Sequence, residues 1–126
     1  MIRIFDAGAF VALERNDRAM WRRLKSALIE SSPPQTHGGV VAQIWRGGTG
    51  RQVLLSRALQ GTEITPLDDE LGRKAGILLA NSGLSDAIDS AVVALASDDD
   101  QIFTSDPDDI DSLVTSNGKR VDVISV

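Results

Sequence analysis

The chain has 126 residues, 42% of them hydrophobic and 25% charged, with no cysteine and a single histidine. That length makes one domain with room for a core that needs no disulfide or metal, and the missing cysteines exclude thiolate metal sites, thiol nucleophiles and disulfide frameworks. The net charge of −5 conceals a polarity: through Arg57 nine basic residues oppose four acidic ones, giving +5, and from Ala58 onward four oppose fourteen, giving −10. Such a chain is compatible with a basic surface that tracks phosphates beside an acidic site that holds cations. No apolar run approaches the roughly 20 residues a bilayer span needs. No targeting segment is visible either, so a cytoplasmic protein is expected.

In chain order, Ile2 to Phe5 reads as a short buried strand that ends on Asp6, and Ala7 to Arg15 as a helix of small and apolar residues. Asp17 is placed to cap a helix running to Glu30, with Met20, Trp21, Leu24, Ala27 and Leu28 on one face and Arg18, Arg22, Arg23 and Lys25 largely on the other. Ser31-Ser32-Pro33-Pro34 ends it, and Gln35-Thr36 makes a very short strand. His37 reads as a loop or packing residue, because no second histidine or cysteine completes a metal site. Val40 to Arg46 predicts a short helix stopped by Gly47-Gly48, and helical spacing resumes from Gln52 to Gln60. Arg46 and Arg51 flank the glycine-rich loop between them. Glu63 to Thr65 is a strand that Pro66 ends or confines to an edge, and Asp68 caps a helix to Asn81.

The stretch from Leu84 to Asp109 holds most of the chemistry. It predicts a helix opening on Asp86 and Asp89, a strand at Ile102 to Thr104, and a helix opening on Asp106 with Pro107 in the first helical position. Asp98-Asp99-Asp100 and Asp108 read as a solvated loop and helix end. Val121 to Ile124 closes the chain as a strand. Strands alternating with helices predict an α/β fold: a three-layer α/β/α sandwich with a mostly parallel central sheet, one domain over residues 1–126. Strand C-termini then share an edge, so Asp6 and Asp106 converge with the helix start at Asp86 and Asp89. Each acidic pair also suits a helix cap with an acid in the first turn. Carboxylates crowded together either take up protons or bind a divalent cation, and hard oxygen donors suit Mg²⁺ or Mn²⁺, which activate water without histidine or cysteine.

These residues resemble a known family, the PIN-domain nucleases, and within it the VapC-type toxins of toxin–antitoxin pairs. The resemblance covers essentially the whole chain. It is carried by Ile-Phe-Asp6-Ala-Gly-Ala, Val-Val-Ala-Gln43-Ile-Trp-Arg46, Ser-Asp86-Ala-Ile-Asp89-Ser-Ala-Val and Phe-Thr104-Ser105-Asp106-Pro-Asp-Asp109. It implies a Mg²⁺- or Mn²⁺-dependent endoribonuclease in which Asp6, Asp89 and Asp106 are the principal ligands and Asp86 an additional one. The family's second acid, a Glu, aligns with Gln43, which serves as a neutral oxygen ligand or water-orienting group. Arg46, Arg51 and Ser105 are then the RNA contacts. A homodimer neutralised by a small antitoxin is expected, with the face of Trp21 and Leu24 as its apolar surface. The alternative is a PIN-like module that binds an antitoxin or RNA without cleavage, the reading that Gln43 favours.

Overall fold

The first strand of the chain lies at the centre of the sheet. In the computed structural model, which describes residues 1–47 and 50–126, the strands β1 (Arg3–Phe5), β2 (Gln35–His37), β3 (Glu63–Thr65), β4 (Gln101–Thr104) and β5 (Asp122–Ser125) form one sheet in the order β3-β2-β1-β4-β5. Every pairing is parallel, so the sheet is wholly rather than mostly parallel. The chain steps outward from β1 on one side and returns on the other through β4, which makes the β1/β4 boundary a topological switch point. Open α/β sheets bind ligands at such a boundary, beyond the strand C-termini.

The helices are α1 (Ala7–Glu14), α2 (Arg18–Ile29), α3 (Gly38–Ile44), α4 (Val53–Gln60), α5 (Asp69–Ser82), α6 (Ala87–Ala94) and α7 (Pro107–Asn117). They pack as two groups, α1 against α2, α3 and α4, and α5 with α6 and α7, with the sheet completing a three-layer sandwich. The core lies where these layers meet β1 and β4. Ile4, Phe5, Phe10, Leu13, Met20, Ile102 and Ile110 are wholly buried, and the Phe5 ring meets those of Phe10 and Phe103 edge-on, with centroids 5.7 and 5.5 Å apart. Among the described residues no single helix is long and apolar enough to cross a membrane.

Several local expectations are corrected. α3 begins two residues before Val40 and ends at Ile44, because the His37 ring accepts from the Gly39 amide and so starts the helix earlier. Trp45 is already extended, leaving Arg46 beyond the helix. The Gly47-Gly48 stop and the loop toward Arg51 fall partly on Gly48 and Thr49, which lie outside the described residues. Asp17 makes no side-chain cap bond to α2. Asp100 is no solvated acid: it is buried and accepts from the amides of Ile2 and Ser97. The helix face expected to serve a partner is largely spent on the core. Leu24 is buried, and the Trp21 indole packs inward and donates to the Leu13 carbonyl, so only Leu28 and Ile29 remain as large apolar groups exposed on α2.

Candidate metal centre

Four local devices bring the acids to the switch point. Asp6 follows β1 directly, is buried, and uses one oxygen to accept from the Ala9 amide, so it caps α1 while its own amide donates to the Phe103 carbonyl of β4. Asp86 caps α6, its Oδ1 accepting from the Ile88 and Asp89 amides. Asp89 then stands half-buried in the first turn of that helix. Asp106 sits in the capping position of α7 without making the cap bond, so no amide of the helix occupies its carboxylate, which stands against that of Asp109, while its own amide donates to the buried Thr104 hydroxyl. Pro107 needs no acceptor at the first helical position, and Asp109 lies three residues after Asp106 on the same face.

Oxygens of Asp89, Asp106 and Asp109 lie within 4.8 Å of one another. Their titration reflects that crowding. Burial pushes the Asp89 carboxyl up to about 6, assisted by the negative charges of Asp86, Asp6, Asp106 and Asp109. Asp6 is raised above the usual carboxylate range by burial and the charge of Asp106, although the Thr104 hydroxyl and the Ala9 and Gly8 amides pull it back. Asp109 is raised chiefly by the charge of Asp106. Among the described residues none of these five acids forms an ion pair. The site is therefore a concentrated negative field softened by the N-termini of α1, α6 and α7, and its all-oxygen donors fit a hard divalent cation.

The remaining expected site residues are placed less centrally. Gln43 is exposed on α3, and among the described residues its side-chain amide makes no hydrogen bond. The Arg46 guanidinium folds back on the end of α3 and donates to the carbonyls of Ala42, Gln43 and Trp45. Arg51 is exposed in the single 3₁₀ turn Gly50–Gln52, and Gln52, whose role the sequence did not suggest, is buried and bridges the Ile44 carbonyl and Arg46 amide. Ser105 is exposed and packs against Gly8, where a Cβ would lie 2.1 Å from the serine Oγ. Together with Val11, Ala12 and Arg15 these two residues line a groove of about 540 Å³ along α1. Asp109 is the acid of the cluster that sequence reasoning missed; its signal was the three-residue spacing from Asp106 at a helix start.

No protein-family model and no curated protein sequence matches this chain. Solved structures do. One is a chain from the structure of FitAB bound to an IR36 DNA fragment, with a TM-score of 0.67 and 16% identity over 98% of this chain and 94% of that one. Another is a chain of VapBC2 from Rickettsia felis bound to a DNA fragment from their promoter, with a TM-score of 0.69 and 16% identity over 98% of both chains. At that identity the likeness is one of fold: the chain has the PIN-like α/β/α sandwich of these neighbours.

Proposed function

We propose that the chain is a metal-dependent endoribonuclease, the toxin of a VapBC-type pair, hydrolysing RNA phosphodiester bonds at the acid cluster. The observation that carries this reading is the gathering of Asp6, Asp86, Asp89, Asp106 and Asp109 at the β1/β4 switch point with no basic partner among the described residues. Asp89, Asp106 and Asp109 would hold Mg²⁺ or Mn²⁺, with Asp6 behind them and Asp86, one oxygen committed to its cap, at the rim. When bound, the cation supplies a water of lowered pKa and neutralises charge on the phosphodiester.

The chain's own residues do the rest. The caps at Asp6 and Asp86 fix two carboxylates by backbone bonds, so these cost little reorganisation when a charged substrate arrives. Gln43 can orient a water or lend a neutral oxygen but adds no charge. Ser105 and the groove floored by Gly8, Val11 and Ala12 would seat a flanking base, with Arg15 in its lining as the plane on which such a base can stack. Arg51 is the freer phosphate contact, since Arg46 would first have to release three carbonyls. The FitAB and VapBC2 complexes among the neighbours support a small antitoxin partner, and a homodimer belongs to the same reading.

The test is cleavage of total RNA with Mn²⁺ and an Asp6→Ala control. Cleavage by the wild type that the variant loses is the expected result. Gln43 supports a second reading, a module that binds RNA or antitoxin without cutting; Mn²⁺ and RNA binding without cleavage would establish it. A wild type that binds no Mn²⁺ would sink the nuclease reading.

A further inference from the structure

The two residues that close β2 each bond the carbonyl just ahead of an acid. Thr36 Oγ1 donates to the Phe5 carbonyl at 2.8 Å, and the next residue is Asp6. His37 Nε2 lies 3.0 Å from the Ile88 carbonyl, and the next residue is Asp89. The histidine tautomer follows from its other nitrogen: Nδ1 is 3.0 Å from the Gly39 amide, which can only donate, so Nδ1 accepts and Nε2 carries the proton to Ile88. Both side chains are wholly buried.

These bonds stand where the regular ladder gives out. β1 has three registered pairs with β4 but one with β2, Ile4 with Gln35, so Phe5 is held on the β2 side by the Thr36 hydroxyl. On the opposite side the Asp6 amide bonds Phe103, and the residue is fixed from both flanks. Gly39 admits the second bond. A Cβ there would lie 2.6 Å from Ile88 Cδ1 and 2.8 Å from His37 Cε1, so only a bare backbone lets the imidazole and α6 close on each other.

We infer that Thr36 and His37 are positioning residues that hold the backbones of Asp6 and Asp89 in the register where their carboxylates converge, and that they thereby set the affinity of the cluster for a divalent cation. The inference rests on the reading of those acids as ligands. Partners that orient ligands characteristically change metal affinity by about 10- to 100-fold when removed. Thr36→Val keeps the shape and loses the hydroxyl; Thr36→Ser keeps the hydroxyl. His37→Asn keeps an acceptor for the Gly39 amide but is too short to reach Ile88.

The experiment measures the dissociation constant for Mn²⁺ alone by electron paramagnetic resonance, and the melting temperature, for these three variants beside Asp89→Asn and Leu55→Val, a core change away from the acids. Thr36→Val and His37→Asn should each weaken Mn²⁺ binding about tenfold, Thr36→Ser less than about twofold, and Leu55→Val should lower the melting temperature without changing affinity. If Thr36→Val and His37→Asn bind Mn²⁺ like the wild type while Asp89→Asn does not, the positioning role is wrong and the nuclease reading stands. Mn²⁺ binding by no protein, wild type included, overturns both. His37→Asn decides the matter alone if Thr36→Val does not fold.

Discussion

Asp89 bears the largest electrostatic penalty of the site. Its carboxyl titrates near 6 instead of 3.8, so the folded state holds this proton more tightly than the unfolded state does. The metal-free protein should therefore lose stability as pH rises from about 4 to about 6, with no further loss from this residue above that. His37, lowered by burial, acts in the opposite sense: the fold gains stability as pH rises toward 6.5. Replacing Asp89 isolates its contribution. Because the group is only half-buried and water screens its charge, Asp89→Asn should stabilise the metal-free protein at pH 7.5 by ~1 kcal/mol. That gain should shrink toward zero near pH 4 in urea titrations; a gain independent of pH would mean that Asp89 is unperturbed. A second prediction concerns Gln43. With one Asp86 oxygen occupied by its cap, the cluster can accept another charge, so Gln43→Glu should tighten Mn²⁺ binding by about tenfold, ~1.4 kcal/mol, by calorimetry. Unchanged or weaker binding would show the cluster already saturated with acid.

At the scale of elements, the contact of α1 with the β4–α7 connection is tight enough to be a device of the site. Gly8→Ala would drive a methyl into Ser105 Oγ and to 2.9 Å from the Ser105 amide, next to Asp106. The expected cost is ~1–3 kcal/mol of stability with a weaker Mn²⁺ site, whereas the same change at solvent-facing Gly72 should leave the affinity alone. The order of strands and helices was legible because Pro, Gly and Asp punctuate this chain at almost every junction. What was not legible depends on partners distant in sequence. A run of three acids reads as solvated, yet Asp100 bonds the amide of Ile2, 98 residues away. Asp17 and Asp106 look like caps of equal quality to Asp86, but only Asp86 bonds its helix. For Asp106 the difference leaves a carboxylate that no helix amide occupies beside that of Asp109, as a cation site needs. His37 showed no sign of its role because neither Ile88 nor the conformation of Gly39 is implied by local spacing.

For the whole molecule, the polarity of charge remains after folding. Among the described residues Arg15, Arg18, Arg22, Lys25, Arg51 and Arg57 are exposed and outside any ion pair, while four acids of the second half, Asp86, Asp89, Asp106 and Asp109, gather with Asp6 at the switch point. Arg51→Gln should weaken RNA binding across sequences and reduce the slope of log affinity against log salt by about 1, measured by fluorescence anisotropy between about 50 and about 200 mM salt. An unchanged slope would remove Arg51 from the RNA path.

The placement of β1 has a consequence for biosynthesis. β1 occupies the centre of the sheet, and its fullest pairing, Arg3 through Phe5 with Gln101 through Phe103, waits for a segment synthesised 98 residues later. Non-local parallel pairing is slow because the chain between must be ordered before the contact is rewarded. Asp6 therefore leaves the ribosome long before Asp106 can stand beside it. A nascent chain that stops short of Asp106 carries Asp6, Asp86 and Asp89 without Asp106 and Asp109, so a cell translating it meets the complete acid cluster only once α7 has been delivered.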